Sequence, residues 1–113
     1  MKQITAVLKP HRIQKVIEAL EALPHFPGYT LLEGQGQGRG HGPGGRHQAS
    51  LADIEPPREM ILLVVCTETS VSQIVETIRQ AAHTGLPGDG IVWTVDLQQV
   101  TRIRSGETGE DAV

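Results

Sequence analysis

REMILLVVC, residues 58–66, is the most continuous apolar run in the chain and reads as a strand buried on both faces, central in its sheet. Downstream, Ser70 and Gln73 have capping-box spacing, and Val71, Ile74, Val75, Ile78 and Ala82 lay down one apolar stripe that ends near Gly85. The glycine-dense TGLPGDG, residues 84–90, then reads as a tight turn into a strand, IVWTVDL. Upstream, QITAVL (residues 3–8) is β-prone and runs into Lys9-Pro10, a favoured helix start. From His11, the residues Ile13, Val16, Ile17, Leu20 and Leu23 recur at helical steps until Pro24. After the turn-forming PHFPG comes GYTLLE, residues 28–33, a second strand. A polar tail occupies about 98–113.

The order is strand, helix, strand, long loop, strand, helix, strand. Two βαβ units with right-handed crossovers give an α+β, ferredoxin-like βαββαβ sandwich: an antiparallel sheet with both helices on one face. The other face then lacks a cover. Apolar residues alternate onto it, so copies of the chain are expected to pack their sheets together. At 113 residues the chain is expected to be a single domain spanning 1–113.

Composition narrows the function. A formal net charge of −3 offers no broad basic field, and single Trp, Tyr and Phe residues offer no stacking platform, so nucleic acid is not an expected partner. The lone cysteine, Cys66, allows no intrachain disulfide and reads as packing in a reducing, cytoplasmic setting. No stretch approaches the ~18 apolar residues of a membrane span, and none resembles a signal peptide. G-x-S-x-G, H-E-x-x-H and P-loop signatures are all missing, so no catalytic residue is named and an enzyme is not expected.

Anion binding is better supported. Glycines in Gly36-Gln37-Gly38-Arg39-Gly40 let backbone N–H groups approach a ligand closely, although a flexible loop with a solvated arginine reads equally well. Gly88-Asp89-Gly90 is a second glycine turn, and a plain turn is its alternative. In an extended segment Arg102 and Arg104 share one face, where two guanidiniums would clamp phosphate oxygens. Between Glu33 and Asp53 there is no acid, which leaves Arg39, His41, Arg46 and His47 as a cationic strip; with seven glycines in residues 34–50, fixing this segment costs much entropy. His41 and His47 are an incomplete metal pair, the alternative being solvated loop histidines.

KPHRIQKVIEAL near the start, GxGR at 36–39, TGxxGDG at 84–90 and RIRSGExG at 102–109 together resemble the PII signal-transduction family over nearly the whole chain, as a divergent member. The resemblance implies a homotrimer whose intersubunit clefts bind adenine nucleotides (ADP, AMP or ATP). It also implies a loop at about 37–57 that docks on a membrane transporter or regulatory enzyme, without membrane insertion. Carried over residue by residue, Thr30 lies near the adenine and Gly36, Gly38 and Arg39 reach the phosphates. Val64 sits on the strand lining the cleft, Gly88, Asp89 and Gly90 hold the base and ribose side, and Arg102 and Arg104 grip phosphate from a neighbouring subunit.

The chain also departs from the family pattern. Ile91 replaces a phosphate-binding lysine, which favours diphosphate or monophosphate over triphosphate. Gly40 and His41 stand where a glutamine helps hold magnesium and 2-oxoglutarate, so magnesium is left open. Arg58 replaces the lysine that contacts 2-oxoglutarate, and with no tyrosine in residues 31–113 a uridylylation site is absent. No cofactor is obligatory. Arg39, His41, Arg46, His47 and Arg58 are the expected loop contacts to an effector or partner. Two alternative readings are a bicarbonate-responsive regulator tied to inorganic-carbon uptake or carboxysomes, and a metal-responsive regulator using His41 and His47.

Overall fold

A computed structural model describes residues 1–38 and 55–113. Strand β1 (Lys2–Leu8) is followed by a 3-10 turn at Pro10–Arg12 and helix α1 (Ile13–Glu21). Strands β2 (Thr30–Gln35) and β3 (Arg58–Cys66), helix α2 (Val71–Ala82) and strand β4 (Gly90–Asp96) complete the α+β order that the sequence predicts. The four strands form one sheet in the order β2-β3-β1-β4, every neighbouring pair antiparallel. This is the ferredoxin-like topology.

Both apolar stripes reach the same sheet face. Val16 and Leu20 from α1 and Ile74, Ile78 and Ala82 from α2 join Ile4, Ala6 and Leu8 of β1 and Leu62, Val64 and Cys66 of β3 in one buried cluster. Burial pushes the Cys66 thiol pKa up, as suits a side chain used for packing.

Four local expectations need correction. The central strand β3 is not buried on both faces: Met60, Leu62, Val64 and Cys66 are buried, while the intervening residues are only half-covered because, among the described residues, no layer lies over their side of the sheet. Strand β2 starts at Thr30 rather than at residue 28, because Gly28 takes a positive φ of 103° that no strand uses. Ser70 precedes α2 without a side-chain cap bond, so the capping box does not form. A 3-10 turn at Glu68–Ser70 leads into the helix instead, and the Ser70 hydroxyl lies 3.2 Å from that of Thr67. Finally, the polar tail does not run extended through its arginine pair: residues 103–105 form a turn, Thr101 bridges Thr108, and Gly109–Ala112 forms a 3-10 turn.

The uncovered face is apolar, as the strand alternation predicts. The register brings Val7 opposite both Ile61 and Ile91, Thr5 opposite Leu63 and Trp93, and Leu32 opposite Ile61. Leu32, Ile91, Trp93 and Val95 on this face are exposed in the single chain.

Candidate functional site

The α2–β4 turn is the most organised of the expected binding segments. Asp89 gathers it: its carboxylate accepts from the Thr84 amide at 2.8 Å, the Gly85 amide at 3.0 Å and the Thr84 hydroxyl. Thr84 Oγ1 in turn accepts from the Leu86 amide at 3.1 Å. The Gly88 and Asp89 amides are left out of these bonds. Gly85 and Gly88 hold φ values of 84° and 89°, the left-handed region that glycine reaches without a steric penalty.

Electrostatics reinforce this arrangement. Lys9 Nζ lies 3.6 Å from Asp89 Oδ1 and His83 Nδ1 lies 3.6 Å from Oδ2. The Thr84 hydroxyl, then the Thr84 and Gly85 amides and Lys9, hold the Asp89 carboxyl well below the usual carboxylate range against the opposing effect of desolvation. A depressed folded-state pKa means that this stabilisation is full above the unfolded value of about 4 and is lost as pH falls. Asp89→Asn is therefore expected to lower stability by about 1–2 kcal/mol at neutral pH, since bonds to a charged acceptor are being weakened. Urea titrations should show the gap between variant and wild type closing below about pH 4.

The other expected residues are distributed unevenly. Thr30 is exposed at the start of β2, opposite Leu63. Beside it a shallow recess of about 540 Å³ is lined by Leu23, His25, Phe26, Gly28 and Tyr29. Gly36 donates its amide to Pro57 O at 3.1 Å, closing the base of the loop, while an added Cβ at Gly38 would meet no described atom within 4 Å. A side chain at Gly36 would meet the Glu59 carboxylate, the mobile end of a long side chain that can swing aside. Val64 is 1% exposed as a whole residue and packs in the helix-side core.

Arg58 forms an exposed ion pair with Glu33, with Nε 3.0 Å from Oε1. Such a surface pair contributes about 0–1 kcal/mol, so the guanidinium exchanges partners at little cost. Arg39, His41, Arg46, His47 and most of the loop at 37–57 lie outside the described residues. Among the described residues no group of three His, Cys, Asp or Glu side chains could hold a metal ion.

Arg102 and Arg104 do not share a face of an extended segment. The Gly106 amide donates to Arg102 O at 2.8 Å and the Arg102 amide donates to Glu107 O at 2.8 Å, which closes a reverse turn over Ile103–Ser105. Gly106 supports that turn with a φ of 76°. The half-buried Arg102 donates Nε to Ala112 O at 3.3 Å, whereas Arg104 is exposed and Ile103 is fully exposed between them. The two arginines still lie close together, but at a turn tip.

The sequence reading gave Lys9 no role beside Asp89. Its signal was present in the Lys9-Pro10 pair, read only as a helix start. A recess of about 220 Å³ next to the turn, lined by Leu8, Ile78, Ala82, His83, Asp89 and Ile91, was likewise not anticipated, because its walls come from three separate parts of the chain.

The family model described as Nitrogen regulatory protein P-II matches residues 1–107. The chain belongs to the P-II family. Among curated relatives, the proteins named Nitrogen regulatory protein P-II from Azospirillum brasilense and Mesorhizobium japonicum are 38% and 39% identical over 113 residues, covering 100% of both chains in each case. Nitrogen regulatory protein P-II 2 of Methanothermobacter thermautotrophicus is 34% identical over 114 residues, covering 100% of this chain and 97% of that one. The P-II match takes in the Lys9-Pro10 start, the 84–90 turn and the arginine turn alike, and it assigns the chain to a family of signal-transduction regulators in nitrogen regulation. No helix among the described residues is long and apolar enough to cross a membrane.

Proposed function

We propose that this P-II family member is a non-enzymatic cytoplasmic regulator that binds an adenine nucleotide, ADP, AMP or ATP, in clefts between the subunits of a homotrimer. The bound nucleotide sets the conformation of the loop at about 37–57 and so its hold on a partner, a membrane transporter or a regulatory enzyme. Binding can act on the loop only if the nucleotide has different affinities for its alternative states. Residues 1–107 carry the family match, and the uncovered apolar face of the sheet offers the surface that a second and third copy would bury.

The observation that carries the nucleotide reading is the 84–90 turn. Asp89 is consumed in shaping it, while Gly88 and Asp89 keep their amides out of those bonds and the glycines give a ligand close access to the backbone. Donors of this kind form an anion-binding concavity, which suits the phosphates of the nucleotide rather than the base and ribose side that the resemblance implied for this turn. Arg102 and Arg104 would add charge from a neighbouring subunit, and Ile91, in place of a cation, favours fewer phosphates.

Calorimetry against AMP, ADP, ATP and cyclic AMP tests the assignment. Arg102→Ala and Arg104→Ala are each expected to weaken the best ligand by about 10- to 100-fold, the loss of a charge-assisted contact. No heat with any of the four nucleotides rejects the cleft.

A further inference from the structure

The Lys9–Arg12 connector between β1 and α1 is one of the stretches that carry the family resemblance, and its Lys9 side chain already reaches Asp89 in the 84–90 turn. In the folded chain it meets both flanks of the 84–90 turn. Leu8 pairs with Gly90 at the start of β4. Next in sequence, Lys9 Nζ lies 3.6 Å from Asp89 Oδ1, both side chains being 24% exposed. Three residues further on, Arg12 donates Nη2 to Ala81 O at 2.7 Å, a contact across 69 residues of sequence.

We propose that Lys9 and Arg12 are positioning residues that fix where the 84–90 turn presents its amides, and so set the affinity for an adenylate phosphate. This rests on the nucleotide reading above. The bonds from Asp89 to Thr84 and Gly85 define the shape of the turn but not its place, because all three residues belong to it. Its place comes from its two flanks. On one side the ammonium of Lys9 holds the Asp89 carboxylate; on the other the guanidinium of Arg12 holds the last turn of α2 by a backbone carbonyl that has no helical partner of its own. The anchor is stiff, since Lys9 is extended with φ −66° and ψ 138° and is followed by the fixed ring of Pro10.

Charge adds a second effect. Without the ammonium, a phosphate arriving at Gly88 would meet the carboxylate of Asp89 uncompensated from this side, and the repulsion would grow with the number of phosphate charges. Among the described residues, His83 Nδ1, at 3.6 Å from Asp89 Oδ2, is the remaining basic group facing that carboxylate, and it is largely exposed. A role limited to general stability would weaken all adenylates equally.

Two measurements on full-length protein test this: amide exchange without nucleotide, and calorimetry with AMP, ADP and ATP. For Lys9→Met and Arg12→Met we expect about tenfold faster exchange at Thr84 and Gly85, with β1 and β3 amides unchanged. Lys9→Met should bind ADP about tenfold more weakly, with the loss increasing from AMP to ATP, and Lys9→Arg should come back to within about twofold of wild type. Unchanged exchange at the turn, a rise shared by every strand, or equal losses for the three nucleotides would overturn the proposal. If the wild type itself gives no heat with any adenylate, the nucleotide reading fails alone, and the exchange result still decides whether the connector holds the turn.

Discussion

Replacing Gly90 with alanine is expected to remove about 4 kcal/mol or more of folding stability, a large share of the roughly 5–15 kcal/mol that a domain has. Two causes combine at this position. The residue holds a φ of 108°, which an L side chain rarely adopts. An added Cβ would also stand 2.0 Å from Val7 O, a backbone atom of β1 that cannot swing away. Relief would require β4 to part from β1 where Leu8 pairs with Gly90, beside the buried Leu8 side chain. Gly106 is the control, with a φ of 76° and nothing within 4 Å of an added Cβ. Gly106→Ala should pay only the backbone term, about 1–2 kcal/mol. Urea denaturation of both variants separates the contributions, and a Gly90→Ala protein within about 1 kcal/mol of wild type would mean that the close approach to Val7 is not there.

The second large effect concerns assembly. Ile91 and Trp93 are 62% and 43% exposed in the single chain, on the sheet face that no helix covers. Burying side chains of this size contributes about 1.5–3 kcal/mol each. An Ile91→Asp, Trp93→Asp double variant should therefore weaken association by at least about a thousandfold, roughly 4 kcal/mol, while costing the isolated fold little, because both positions already face water. Sedimentation equilibrium is expected to show the wild type as a trimer and the variant as a single copy. A variant that stays trimeric would place the subunit contact elsewhere, and a wild type that sediments as a monomer would remove the intersubunit cleft altogether.

Residues 58–66 illustrate what was legible. The strand limits agree to the residue, because the apolar run, the charged Arg58-Glu59 entry and the polar Thr67-Glu68-Thr69-Ser70 exit are all local signals. Both helix stripes were equally plain: Val16 with Leu20, and Ile74 with Ile78, recur at the helical period and are buried as that period requires. Ser70 was misread because a capping box needs non-helical dihedrals at the cap residue, and here the preceding 3-10 turn leaves Ser70 at φ −92° and ψ −13°. For the arginine pair, the extended reading failed at Gly106, whose left-handed backbone turns the chain just after Arg104.

Local pattern alone determined the order of strands and helices, the stripe each helix buries, and the glycine turn at 84–90, since periodicity, proline and glycine act within a few residues of where they stand. It also carried the family resemblance. Only the folded chain decided that Asp89 shapes its own turn, that Lys9 and Arg12 brace that turn from the far end of the sequence, and that Gly90 must lack a side chain because Val7 O occupies its space. Those facts depend on strand register and on which segments the sheet brings together, and register is set by the packing of the whole core rather than by any stretch read alone.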